Sequence, residues 1–207
     1  MANLKQKILI TGLGNPDITF QNNRHNTGHI FLDYLVHKHA GTEWKSNKKC
    51  MAKISLIKIN NCSIILAKSL VFMNQSGKTL NLLKQFYQLP LKNIFIAHDD
   101  SDIALGNFKI HFGRGSAGHK GVESIIHFLK SKNFYRLRIG IRSPSQRQKA
   151  DKLVLTNFNS QEKQILNKTF PIIEEQLMNV CAPKNKQKNE KPKLIKDLKS
   201  KHLTKDN

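Results

Sequence analysis

Short apolar bursts, separated by polar breaks bearing glycine or proline, set the rhythm of this chain. Residues 7–13 (KILITGL) form a β-branched run stopped by glycine, the pattern of a buried strand. Over 27–40 the period changes, with Ile30, Phe31, Tyr34, Leu35 and His39 recurring at helical spacing. Two strand-like runs follow at 52–59 (AKISLIKI) and 63–70 (SIILAKSL), joined through Asn60-Asn61 as a hairpin turn. An amphipathic helix over 78–89 ends at Pro90, and Ser76 is a residue type that caps such a helix. Strands are expected at 93–100, 107–112 and 135–141, with a helix at 122–130. A last helix covers about 160–181, with Pro171 inside it or beside it.

Strands alternating with helices predict an α/β fold, a single globular domain with a mixed central β-sheet flanked by helices. That domain is expected to span residues 1–182. From Pro183 the pattern degrades: residues 183–207 carry nine Lys against three acids and few large apolar side chains. Such a segment buries too little surface to offset chain entropy, so a Lys-rich, disordered tail is expected. In α/β folds, sites gather at the carboxyl ends of strands. Asn15, Asn74 and Asp99 all fall at or soon after such ends.

Charge adds a partner to this picture. Lys and Arg number 35 against 14 acids, a formal charge of +21, which suits a polyanion. The excess is mostly Lys, 29 to 6 Arg, which also fits a compositional drift of exposed positions. No stretch approaches the ~20 apolar residues of a membrane span. The first residues run into a strand with no signal-peptide pattern. The three cysteines, Cys50, Cys62 and Cys181, lack metal-ligand spacing. A soluble protein of the reducing cytoplasm is expected.

The chemistry centres on QNNRHNTGHIF, residues 21–31, where one imidazole stands among side-chain amides. His25 is either a solvated or capping histidine or a general base, since imidazole exchanges a proton near neutral pH. A base needs a carboxylate to fix its tautomer and stabilise the imidazolium. Asp99, held at a strand end, is the candidate; Asp100 and Asp102 read as a solvated loop edge. His98 reads as structural, because neighbouring strand residues point to opposite faces. Asn15, Asn26 and Asn74 offer amides that either grip a substrate carbonyl or water or tie down turns. GLGNP follows a strand but lacks the glycine and helix start of a dinucleotide site. The acids of HDDSD, 98–102, are adjacent on a strand and converge poorly on a metal.

In order and spacing, GLGNP, RHNTG, FMNQSGK, AHDDSD, GHKGVESI and FYRLRIGIRSP resemble bacterial-type peptidyl-tRNA hydrolase over about residues 7–158. The resemblance implies a monomeric cytoplasmic α/β enzyme with no metal or organic cofactor. Its substrate would be peptidyl-tRNA, cut at the ester between peptide and 3′ ribose so that the tRNA is recycled. By motif match His25 activates water and Asp99 orients it, while Asn15 and Asn74 position the peptide carbonyl and the water. Lys109, Lys120, Arg138 and Arg142 are candidates for phosphate contacts, which need no base readout.

Three positions depart from the family pattern. Asp17 stands for a glycine, Phe20 for a tyrosine that would line the substrate site, and Lys120 for a substrate-binding asparagine. Lys120 keeps donors, loses the acceptor and adds charge. It would compete for Asp99 if it approached His25, or grip a phosphate if it pointed outward. A non-catalytic tRNA- or RNA-binding relative is the alternative these changes raise, and a metal-dependent hydrolase using HDDSD is a third reading.

Overall fold

The computed structural model describes residues 7–59 and 62–181. The expected Asn60-Asn61 turn and the 183–207 tail lie outside the described residues. Seven strands form one sheet in the order β2-β3-β4-β1-β5-β7-β6. They are β1 (Lys7–Gly12), β2 (Lys45–Asn47), β3 (Ala52–Ile59), β4 (Cys62–Ser69), β5 (Ile94–Ala104), β6 (Phe108–Phe112) and β7 (Tyr135–Arg142). The centre, β4-β1-β5-β7, is parallel. Its margins are antiparallel, with β3 and β2 beyond β4 and with β6 beyond β7. The sheet is therefore mixed, as the sequence predicts.

Alternation along the strands makes two cores. On one face, Ile8 and Ile10 of β1 join Phe31, Leu32 and Leu35 of α1 (Thr27–Lys38) and Phe170, Ile173 and Leu177 of α5 (Ser160–Cys181). On the other, Leu9 and Ile96 pack against Leu80 and Leu83 of α2 (Ser76–Tyr87) and Val122 and Ile125 of α3 (Lys120–Leu129). Burying these side chains from both sides is the dominant favourable contribution to folding, at roughly 1.5–3 kcal/mol per large aliphatic residue.

Several expectations need correcting. Ser76 is not the cap of α2 but its first residue; its hydroxyl donates back to Met73 O at 2.8 Å. β5 does not end at Asp100 but runs on to Ala104, with a register shift between those two residues where it meets β7. Asp100 is therefore no solvated loop edge: it is 8% exposed and bonded to Arg138. The short β2 and the four-residue α4 (Ala150–Leu153) were not foreseen, being too short to show a period. Pro171 lies inside α5, on an exposed position.

Two glycines bring the site together. A Cβ on Gly28 would stand 2.3 Å from Ala97 O, and one on Gly12 would stand 2.4 Å from Gly28 O. Only bare backbone lets the first turn of α1 rest on the ends of β1 and β5. Leu13 N donates to Ala97 O at 2.9 Å and closes the junction.

Candidate active site

His25 occupies the middle of a 3-10 turn, Arg24–Asn26, that leads directly into α1. Backbone bonds from Arg24 N to Thr156 O (3.0 Å) and from His25 N to Val154 O (2.9 Å) fix the turn. The Arg24 side chain anchors it from below. Its Nη2 reaches both Glu162 oxygens at 2.7 and 2.9 Å, Nη1 donates to Ile141 O, and Nε donates to Thr156 Oγ1. Both partners are buried, and Glu162 also accepts from Ser143 Oγ and Asn159 N. Burial alone would raise the Glu162 carboxyl, but Ser143, Asn159 and Arg24 hold it below its ordinary range.

From this anchored turn the imidazole meets Asp99. His25 Nδ1 lies 3.0 Å from Asp99 Oδ1 and 3.1 Å from Oδ2. Asp99 is almost fully buried, and its Oδ1 also contacts His119 Nε2 at 2.9 Å. Burial would raise this carboxyl, yet the charge and hydrogen bonds of His119 and His25 outweigh it and hold Asp99 well below the usual carboxylate range. Asp99 is thus a carboxylate, and both facing ring nitrogens donate to it.

His119 was absent from the sequence-derived site, and it is built in unusually. It is the N-cap of α3, and its Nδ1 accepts from Gly121 N (3.1 Å) and Val122 N (3.4 Å). With Nδ1 an acceptor, the ring proton sits on Nε2 and points at Asp99. This decides the chemistry of the trio. His25, Asp99 and His119 offer ligand atoms within 4.8 Å of one another, as a metal site would. A metal on His119 Nε2 would push that proton onto Nδ1, against two backbone N–H groups. The trio is a hydrogen-bonded relay, and it fits a metal poorly.

His98 is structural, as the alternation predicts. It is buried, its Nδ1 donates to Asp99 O at 2.7 Å, and its ring packs edge-on to His119 with centroids 4.6 Å apart. Burial, then the neighbouring His119, push its pKa well below the ordinary imidazole value.

A cavity of about 350 Å³ opens over the trio, lined by His25, Asp99, His119, Lys120, Asp102 and Asp151 among others. His25 Nδ1 is taken by Asp99, which leaves Nε2 as the nitrogen free to accept a proton. Lys120 stands at the rim and not over the imidazole: its side chain is 74% exposed and lies 3.4 Å from Glu123.

The amides divide their work. Asn26 exchanges two bonds with the Asn15 backbone, Asn15 N to Oδ1 and Nδ2 to Asn15 O, both 2.9 Å. It is a clamp on backbone, with both ends of the amide engaged and the side chain almost fully buried. Asn15 Oδ1 accepts from Met73 N at 2.9 Å, which leaves its Nδ2 as a donor. That bond docks the 3-10 turn Met73–Gln75, on which Asn74 is exposed. Asn15 does not line the cavity over the trio; it lines a neighbouring recess of about 200 Å³, bordered by Asn26 of the Arg24–Asn26 turn. Phe20 ends the short turn Ile18–Phe20, half-buried, and lines neither space.

The basic candidates lie on β6 and β7. Lys109 is exposed, directly across the ladder from Arg138. Arg138 is held by Asp100 at 2.6 Å, and Arg142 donates to Ser101 O and Gln148 O. Of the three, only Lys109 has a side chain with no ion pair or hydrogen bond within the described residues.

Known proteins share this arrangement of sheet and motifs. A family model described as "Peptidyl-tRNA hydrolase" matches residues 9–201. The chain is 36% identical to the peptidyl-tRNA hydrolase of Mycolicibacterium smegmatis over 160 residues, covering 77% of this chain and 83% of the relative. It is 34% identical to that of Mycobacterium tuberculosis over the same coverage. The crystal structure of peptidyl-tRNA hydrolase from Acinetobacter baumannii superposes with a TM-score of 0.73 at 29% identity, covering 84% of this chain and 91% of that one. The chain belongs to the peptidyl-tRNA hydrolase family.

Proposed function

We propose that this protein hydrolyses the ester linking peptide to tRNA in peptidyl-tRNA, with His25 as the base. The observation that carries the reading is the His25–Asp99 pair, 3.0 Å apart and opening into the cavity. His25 Nε2 takes a proton from water as the water oxygen attacks the ester carbonyl. The imidazolium that forms faces the Asp99 carboxylate, which stabilises it, and His119 keeps that carboxylate in place from the other side. Collapse of the tetrahedral intermediate breaks the bond to the ribose oxygen, which takes the proton back from His25. The peptide leaves as a carboxylic acid and the tRNA with a free hydroxyl.

Asn15 Nδ2 and the Asn74 amide supply donors for the peptide carbonyl and the water, a neutral grip on a group that becomes anionic in the transition state. Lys120 stands at the cavity rim for the 3′ end of the RNA, whereas Phe20, outside both spaces, has no contact with substrate in this reading. Lys109, with Arg138 across the ladder and Arg142 farther along β7, meets phosphates without reading bases, as an enzyme serving many tRNAs requires. No helix among the described residues is long and apolar enough to cross a membrane. The protein acts on its substrate as a cytoplasmic monomer, and its own side chains supply the chemistry without metal or organic cofactor.

A tRNA-binding relative without turnover is not favoured. Such a protein has no need of an imidazole whose proton is fixed by a buried carboxylate. The two separate on one assay: peptide release from a purified N-blocked aminoacyl-tRNA, in excess EDTA, beside binding of the same RNA deacylated. The hydrolase reading expects multiple turnover with EDTA present. Tight binding without release would establish the binding relative, and release that EDTA abolishes would establish a metal-dependent enzyme.

A further inference from the structure

The recess beside Asn15 holds groups that the hydrolytic step does not use. At about 200 Å³ it is smaller than the roughly 300–1,000 Å³ clefts that take whole small molecules. One side chain is its natural occupant. Lys68 of β4 lies over the Trp44 ring, 4.7 Å from its centroid, and pairs with Asp33, which also accepts from Trp44 Nε1. Asp17 is turned onto its own loop, accepting from Thr19 N and Oγ1 at 2.8 Å. Lys53 stands directly across the β3–β4 ladder from Lys68. With Asp33 taken by Lys68 and Asp17 by Thr19, Lys53 is a cation without an ion-pair partner among the described residues.

A buried neighbour registers this field. His29 lines the recess at 8% exposure, with Nε2 unpartnered among the described residues. Burial first, then Lys68 and Lys53, push its pKa down to about 3.

Position indicates what the recess would receive, given the hydrolase reading on which this inference rests. The ester is cut where β1 and β5 end; the basic β7–β6 margin lies to one side and β4–β3 to the other. A substrate that lays its RNA toward β7 and β6 sends its peptide toward β4 and β3, past the Asn15 amide. We propose that the recess between α1 and the β3–β4 ladder is a subsite for an acidic side chain of the peptide. Its carboxylate meets Lys53, and its methylenes lie along Trp44 and Leu70 of the lining. An RNA phosphate fits less well, because the space is too small for a nucleotide and lies across β1 and β5 from the basic margin.

The test compares three N-acetyl-dipeptidyl-tRNAs with the same tRNA and the same C-terminal alanine, bearing Glu, Ala or Lys at the preceding residue. Wild type is expected to show the lowest KM for Glu, roughly threefold below Ala, the size of one part-exposed ion pair. Lys53→Glu, an exposed change on β3, is expected to reverse the order of Glu and Lys. Equal KM values, or an order unchanged in Lys53→Glu, would overturn the subsite while leaving the hydrolase intact. A variant that weakens all three substrates and deacylated tRNA alike would place RNA in the recess and overturn it too. Release from none of the three would overturn the hydrolase reading and the subsite with it.

Discussion

Arg24 and His25 are neighbours in sequence, and they serve two buried polar networks of opposite design. Arg24 enters a closed one: a bidentate pair with Glu162, with carbonyl and hydroxyl acceptors for Nη1 and Nε. His25 enters an open one, in which Asp99 takes Nδ1 and Nε2 is left toward a cavity. The closed network holds backbone in place; the open one leaves a single nitrogen able to react. Breaking the first should therefore cost stability, and breaking the second should cost rate.

Asp99→Asn is the change with the largest expected effect on rate. It replaces the carboxylate with an amide that cannot stabilise imidazolium. The value of kcat/KM is expected to fall by about 10²–10⁴, with the loss mainly in kcat. A variant that kept its kcat would show that Asp99 only fills space.

Glu162→Gln comes next, read by denaturant midpoint. Removing one partner of a buried ion pair costs about 3–5 kcal/mol, so a large drop in urea midpoint is expected. Activity at a temperature where the variant is folded should fall far less than in Asp99→Asn. Should the midpoint stay put while kcat collapses, the division between the two networks would be wrong.

A smaller effect concerns acid stability. His29 is buried neutral with its pKa near 3, whereas an unfolded histidine titrates near ~6.5. Between those values the unfolded chain binds the proton and the folded chain does not. Stability therefore falls as pH drops through that window, by at most about 1.4 kcal/mol per pH unit for this group. His98, buried and shifted the same way, adds to the slope. Urea midpoints at pH 7 and 5 should converge in His29→Leu relative to wild type; an unchanged difference would remove His29 from the account.

Lys120→Asn has the smallest expected effect. An exposed pair such as Lys120–Glu123 contributes about 0–1 kcal/mol, so the midpoint should scarcely move. Because the ammonium pairs with Glu123 at the exposed rim, kcat should change less than KM. A many-fold gain in kcat would mean that the lysine turns inward and restrains the base.

How far the sequence could be read follows from what each residue type advertises. β1, β4 and β7 are β-branched or alternating runs, and the two cores repeat that alternation. His25 and Asp99 were legible as a pair because one stood before an amphipathic helix and the other at a strand end. His119 is not, since imidazole is not among the side chains that usually cap helices, and nothing in GHKGVESI shows that its ring turns back onto Asp99. Asp100 looks like a loop residue in sequence because nothing there reveals that β5 runs on, or that Arg138 stands close enough to pair with it. The direction of Lys120 depends on the rotation of α3 about its axis, which the first residue of a helix does not determine. The Asn26 clamp is equally invisible, since an amide that grips backbone and one that grips substrate are the same residue.

The most direct test of the central claim is kcat/KM for peptide release by His25→Ala in EDTA, measured beside its urea midpoint. The account predicts a loss of about 10²–10⁴ with the midpoint near that of wild type, because the anchoring of the turn belongs to Arg24. Release at the wild-type rate by the folded variant would contradict it, and the base would have to be sought elsewhere in the cavity.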